Sequence, residues 1–448
     1  MSERRLIAKH AITVWVGQLA VMAFGVTDTV VAGRYDQSAL ASLSVGSAIY
    51  ISVFVTLMGV LQATLPMLSE LHGANRPRDM GRLVRQSLYI WAATSALGMV
   101  LLMNAGVALS WTEVPTELRP AIIHYLNVLA WALPPALWFR LYANLNQALG
   151  RPKAVTWVQV LGLACKIPLS VVFTFGWGPL SGWGLVGCAH ATLCVNVLMA
   201  LFSVLALIKG DYGRLHLWRR IERPDRKRLW NLLRLGLPNA ASITVEVTSY
   251  TLMALLIARL GSGAAASHQI TSNLGALLYM VPLSLSIATS ARVSYWLGAD
   301  QPAKARQAIG HGFMWLLLAI VTTSLILILG RQEIAQLYID DVEVSQAASE
   351  LLGWMIWYQA VDAVQVLCFF ILRCHRVTIL PMLVYATFLW GIGLTGGYVL
   401  AYHGFAGWEP LMGAEAFWIS SSFALTLVSL ILGILLLTVI RRQSQALG

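Results

Sequence analysis

A chain of 448 residues that is 58% hydrophobic and 11% charged, with a mean hydropathy of +0.70, is not a soluble domain; soluble chains carry roughly 25% charged residues. The formal net charge of +11 would suit nucleic acid, but the basic residues sit in short joints between apolar runs, so no nucleic-acid partner is expected. No nucleophile constellation, HExxH, zinc spacing or Gly-rich phosphate loop is present, which argues against an enzyme and against a cofactor.

Each apolar run is about 20 residues long, the length an α-helix needs to cross a bilayer. In chain order the runs predict helices over approximately 11–32, 43–66, 87–110, 121–147, 155–176 and 184–208, then 236–258, 267–291, 309–329, 351–372, 380–401 and 416–440. The chain therefore reads as an all-α polytopic membrane protein with twelve spans. The first run follows Arg4, Arg5 and Lys9, as a signal peptide would, but it is too long for an h-region and lacks a small-residue cleavage pattern. It reads as a retained helix.

The joints alternate in charge. Those on the side of the N-terminus hold Arg76, Arg78, Arg82, Arg85, Arg151 and Lys153, a basic set between Lys209 and Arg234, and Arg292, Lys304, Arg306, Arg373, Arg376, Arg441 and Arg442. The opposite joints collect Asp36, Glu113, Glu117, Glu333, Asp340, Asp341, Glu343, Glu409 and Glu415. This positive-inside pattern places both termini in the cytoplasm. Trp111, Trp183 and Trp408 near joints read as interface anchors.

The longest joint, "KGDYGRLHLWRRIERPDRKRLWNLLR" (209–234), divides the chain into lobes over 1–208 and 236–448 with a linker over 209–235. Shifting the second half back by 225 lays "GRYDQSALAS" (33–42) on "ARLGSGAAAS" (258–267), and Gly73, Ala74 and Pro77 on Gly298, Ala299 and Pro302. With an even number of helices per half, the two six-helix bundles share an orientation, as in parallel-repeat transporters.

Four charges lie deep within predicted helices and need partners, because an ionised Asp at a helix centre costs about 2.5–3.5 kcal/mol even on the lenient insertion scale. A fifth, Arg140, lies close enough to a helix end to snorkel. Glu246 and Asp362 both fall near the midplane of the second half, on stripes shared with Ser242, Ser249 and Tyr250, and with Tyr358 and Gln365. No basic residue lies mid-membrane there. Two such carboxylates cannot both ionise readily in a dry pocket, so they share protons, bind a cation or contact water. In the first half, Asp28 and Lys166 either form a buried pair or leave Asp28 as a second proton site. Tyr279, Trp354 and Tyr358 are placed to stack on a planar cation.

The segments "TDTVVAGRYDQSALASLSVGSAIY", "PMLSELHGANRP", "GWGLVGCAHAT", "VEVTSYTLMALLIARLGSGAAASHQI" and "DAVQVLCFFILR", in this order and almost end to end, resemble the multidrug and toxic compound extrusion (MATE) family in its NorM-type bacterial branch. The resemblance implies two six-helix lobes in a V, and export of small cationic, often aromatic, drugs or toxins in exchange for Na⁺ or H⁺. It implies a monomer among membrane lipids, with no resident cofactor. It places cation coupling on Glu246, Asp362 and Tyr358, with Na⁺ held by Glu246 and Asp362 if sodium drives the cycle. It matches Asp28 to the family's helix-1 aspartate. It also puts Gln269 and Tyr279 in the substrate cavity, beside Tyr250 and Gln365. Two departures stand out: Lys166 and Ser170 replace the asparagines of "LNIPLN", and "LRCHR" replaces "LRG". The rival reading is a lipid or lipid-linked precursor flippase of related fold, which would want a cationic cavity where the second half here is acidic. A major-facilitator reading fails on "GANRPRDMGR", where Pro77 stands in place of the expected Asp.

Overall fold

The computed structural model describes residues 2–110, 114–178, 180–218, 222–339, 341–404 and 409–445. Trp111, Glu113, Asp340 and Trp408, named above, lie outside them. Among the described residues, twelve helices are long and apolar enough to span a membrane: α1 (Glu3–Tyr35), α2 (Gln37–Gly73), α3 (Pro77–Met103), α4 (Arg119–Ala148), α5 (Pro152–Phe175), α6 (Leu185–Lys209), α7 (Arg226–Ala258), α8 (Ser262–Gly298), α9 (Pro302–Tyr338), α10 (Val342–Cys374), α11 (Ile379–Tyr402) and α12 (Glu415–Arg442). The only β structure among the described residues is a two-residue antiparallel pair, Gly176–Trp177 with Leu180–Ser181.

Most of these helices outrun their apolar stretches. Hydropathy marks the thickness of hydrocarbon, whereas the ends are set by capping groups. Thus α2 starts on Asp36, whose Oδ2 accepts from Ser38 N at 3.1 Å; the Ser38 hydroxyl and the first N–H groups of the helix hold this carboxyl below its usual range. Likewise α10 starts on Asp341, whose Oδ1 accepts from Glu343 N and Val344 N at 3.0 and 3.1 Å.

Four helices end in one repeated device. After α2, α4, α8 and α10 a left-handed residue, respectively Asn75, Gly150, Asp300 and Arg376 (φ 54°, 69°, 54° and 62°), turns the chain. The next N–H then reaches back to a carbonyl five residues earlier: Arg76 to Leu71, Arg151 to Asn146, Gln301 to Trp296 and Val377 to Leu372, at 2.8–3.0 Å. This is the Schellman closure, which satisfies carbonyls that no further helical N–H can reach. Pro77, Pro152 and Pro302 then open the next helix, where a missing N–H does no harm. Asn75 and Asp300 stand at the sequence offset of the repeat. In α11 the helix widens to π geometry over Ala386–Leu394, a feature the apolar sequence did not announce.

The chain forms two compact units, Val16–Ala240 (the N-unit) and Ala241–Gly448 with Met1–Trp15 (the C-unit). The sequence division assigned residues 1–15 to the first lobe; in the structure they pack with the second. Glu3 explains this, accepting from Arg292 Nε and Nη2 at 2.6 and 2.9 Å and from Trp296 Nε1 at 3.1 Å. Conversely, α7 begins at Arg226 inside the expected linker, and its first turns belong to the N-unit, where Asn239 Nδ2 donates to Gly59 O at 2.6 Å. The linker itself lies against α3. Gly81 permits this, since a Cβ there would sit 1.7 Å from Leu215 O.

Candidate cation site

The two acids expected near the midplane both fall in the C-unit. Glu246 on α7 and Asp362 on α10 lie within each other's electrostatic field. Asp362 is 5% exposed and Gln365 not at all. Gln365 Nε2 donates to Asp362 Oδ1 at 2.9 Å, and the Tyr385 hydroxyl donates to Gln365 Oε1, which fixes the direction of the amide. Tyr279 on α8, Tyr358 on α10 and Tyr385 on α11 each lie in the field of both acids. Neither acid forms an ion pair among the described residues.

Behind the acids stands a group of packed rings. Trp418 on α12, fully buried, meets Tyr358 at 5.2 Å between centroids and 70°, and Tyr250 at 6.5 Å and 88°. Both are edge-to-face contacts, the arrangement ring quadrupoles favour. His268 on α8 lies 5.9 Å from Trp418 and 6.0 Å from Tyr250. Tyr385, His268 and Trp418 were not singled out from the sequence. Gln269, expected in the cavity, is exposed and donates to Asn273 Oδ1 along its own helix at 3.1 Å.

Chemically, two carboxylates in a medium of low dielectric repel strongly. A proton on either, or a cation between them, removes the repulsion. The tyrosine rings add π faces and hydroxyl oxygens that suit a cation rather than an anion.

The N-unit treats its charges differently. Lys166 Nζ lies 2.7 Å from Asp28 Oδ1 and donates to Cys188 O at 3.1 Å and Thr192 Oγ1 at 2.6 Å. Ser170 Oγ donates to Asp28 Oδ1 at 3.3 Å. Lys166 is fully buried and Asp28 7% exposed, so a closed polar knot ties α1, α5 and α6. Arg140 is half-buried, and its Nε is buried without a hydrogen-bond partner.

Comparison with known proteins decides the family. The MatE family model matches residues 14–172 and 238–399, one stretch in each half and separated by nearly the offset of the sequence repeat. The chain belongs to the MATE family. The probable multidrug resistance protein NorM of Aromatoleum aromaticum is 36% identical over 437 residues, covering 97% of this chain and 94% of its own. The multidrug resistance protein NorM of Aliivibrio fischeri is 32% identical over 446 residues, covering 98% and 95%. A crystal structure of MATE in complex with MaL6 superposes with a TM-score of 0.90 at 15% identity, over 99% of this chain and 98% of that one. The eukaryotic MATE transporter AtDTX14 does so at 0.87 and 18%, over 100% and 99%. At those identities the superpositions speak for the fold alone. Membership makes the protein a transporter rather than an enzyme, and its twelve apolar helices make it a multi-pass membrane protein.

Proposed function

We propose that this MATE protein is a secondary active multidrug efflux antiporter that exports small aromatic cations in exchange for Na⁺ or H⁺, with Glu246 and Asp362 as the coupling site. One observation carries the reading: the C-unit holds a buried Asp362 and a half-buried Glu246 that no base among the described residues neutralises, and frames them with tyrosine hydroxyls and rings. Two such carboxylates, one of them buried, are stable together only when a proton, a cation or water shares their charge. On this reading Gln365 and Tyr385 orient Asp362, and Tyr279 and Tyr358 face the bound cation. The entering ion and the cationic drug then oppose one another through the same carboxylates during alternating access. Both termini lie in the cytoplasm of a bacterial inner membrane, so the inward gradient drives export. Each charge moved across 100 mV supplies about 2.3 kcal/mol.

The test is efflux of ethidium from proteoliposomes under an imposed Na⁺ or proton gradient. Asp362→Asn is expected to abolish the gradient-driven component while leaving the protein folded. Undiminished gradient-driven efflux in that variant would overturn the assignment.

A further inference from the structure

The π segment of α11 stands between two fixed points. On its C-terminal side, α11 lies tight against α12, with glycines where side chains would collide: a Cβ on Gly397 would sit 2.5 Å from Phe417 Cδ1, and one on Gly396 2.5 Å from Ser420 Oγ. The Tyr402 hydroxyl donates to Leu256 O on α7 at 2.8 Å, which ties down the same end. On its N-terminal side, Tyr385 immediately precedes the segment and is 3% exposed. Its hydroxyl donates to Gln365, whose amide in turn donates to Asp362 Oδ1 at 2.9 Å.

Two hydroxyls hold the segment in its wide register. The Thr395 N–H and the Thr395 hydroxyl both reach Trp390 O, five residues back, the hydroxyl at 2.9 Å; in an α-helix the N–H would bond four residues back. From α12, Ser420 Oγ donates to Ile392 O at 2.8 Å, inside the segment. Side chains inserted into the helical ladder are an identified cause of such distortion, and Ser420, 5% exposed, supplies one from a neighbouring helix. An α turn uses fewer residues than a π turn and rises further per residue. With the Thr395–Tyr402 end anchored, tightening the nine residues Ala386–Leu394 would rotate Tyr385 about the axis, move it along the axis and take its hydroxyl off Gln365.

We propose that Ser420 is a positioning residue of the cation site: by holding α11 in its wide register it keeps the Tyr385 hydroxyl on Gln365 and, through that amide, a donor on Asp362. This rests on the reading of Glu246 and Asp362 as the coupling site. A donor on a carboxylate favours its charged, unoccupied form, so the register of α11 helps Asp362 release the ion it has carried. When the segment tightens, Gln365 loses the partner that fixes its amide, and Asp362 holds its cation more strongly. Besides Tyr385, the titratable groups around Asp362 are Glu246 and Tyr250 on α7, Tyr279 on α8 and Tyr358 on α10, all of which the α11 and α12 variants below leave in place.

The experiment measures ethidium efflux in proteoliposomes, varying Na⁺ at fixed pH and pH at fixed Na⁺, for wild type, Ser420→Ala, Tyr385→Phe, the double variant and Ser422→Ala. Ser420→Ala and Tyr385→Phe are each expected to lower the half-saturating concentration of the coupling cation about three- to tenfold and to slow maximal efflux. The double variant should shift it no further than the larger single change, because both release the same amide. Ser422, two residues along α12, is fully buried and its hydroxyl has no hydrogen-bond partner, so Ser422→Ala should stay within about twofold of wild type. If Ser420→Ala does not accumulate in the membrane, Thr395→Val, which removes the other hydroxyl from the segment, carries the same expectation. Additive effects in the double variant, a Ser422→Ala as damaging as Ser420→Ala, or an unchanged cation dependence would each overturn the positioning role. Intact coupling in Asp362→Asn would remove the acid-pair reading and this role with it, whereas lost coupling there with an unshifted Ser420→Ala would remove only the positioning role.

Discussion

In the N-unit the buried charges of Asp28 and Lys166 meet at 2.7 Å and are wrapped by Ser170, Thr192 and the Cys188 carbonyl. In the C-unit, Glu246 and Asp362 share a field with no base beside them among the described residues. The two units descend from one repeat, yet their charges do not. At the offset of the repeat, Glu246 and Asp362 fall on Val21 and Leu137, and Asp28 and Lys166 fall on Met253 and Gly391. The scaffold is therefore indifferent to where charge is placed, and each unit carries its own electrostatic solution. A buried pair whose partners satisfy each other binds helices together and takes up nothing. An acid pair left unsatisfied has to be completed from outside, which is the condition for coupling to an ion.

The largest effect separates these two uses of charge. Lys166→Met leaves Asp28 buried without its cation and is expected to cost about 3–5 kcal/mol of stability. Adding Asp28→Asn should recover most of that, because the pair can be replaced as a unit more cheaply than it can be broken. Asp362→Asn should cost no stability, since it removes a repulsion. Thermal unfolding in detergent at matched pH measures all three. If Lys166→Met kept wild-type stability, or Asp362→Asn proved the more destabilising change, the contrast between a structural pair and a functional pair would collapse.

Much of this contrast was legible before any coordinates. Asp28, Lys166, Glu246 and Asp362 are conspicuous because a charge in an apolar run has no cheap reading, and Gln365 is found from Asp362 by helical spacing alone. The aromatic support was not legible. Trp418 and His268 lie 150 residues apart on α12 and α8, and a ring on an apolar helix looks the same whether it packs or directs a hydrogen bond. Tyr385 was missed for a similar reason, since its hydroxyl acts through Gln365 on another helix. Helix ends were misplaced because hydropathy falls at the headgroups while Asp36, Asp341 and the four left-handed turns set the true limits.

Those turns sharpen the comparison at smaller scale. Asn75 and Gly150 in the N-unit and Asp300 in the C-unit are residue types that enter the left-handed region readily, whereas the last Schellman turn of the C-unit uses Arg376. A long side chain at that φ costs about 1 kcal/mol or slightly more relative to glycine. Arg376→Gly is expected to stabilise the protein by about 1 kcal/mol. Asn75→Gly should change stability by only a few tenths of a kcal/mol. Paired melting curves check the difference. Equal responses at the two positions would mean that the arginine's own contacts offset its backbone strain.

The smallest expected effect concerns how each unit holds the segment it takes from the other half of the chain. The C-unit tether, Glu3 with Arg292, has side chains only 16% and 22% exposed, whereas the N-unit tether, Glu222 with Arg82 and Arg85, sits nearer water, with the Glu222 side chain 32% exposed. Around it the Tyr89 hydroxyl donates to Glu222 O at 2.8 Å, and Gln86 Nε2 to Arg223 O at 3.0 Å. The hydrogen bonds from Arg82 and Arg85 hold the Glu222 carboxyl below its ordinary value of 4.5. A carboxylate depressed on folding contributes stability that is present above its unfolded pKa and is lost as pH falls through the lower folded value. Hydrogen exchange over residues 213–218 and 222–225 should therefore be unchanged at neutral pH, and should lose protection only on acidification below 4.5, after correction for intrinsic rates. Glu222→Gln should loosen the same residues already at neutral pH and leave residues 3–10 as protected as before. Loosening of both segments together would show that the two tethers form one cooperative element, whereas the separate salt bridges and separate packing of the two units predict that each opens alone.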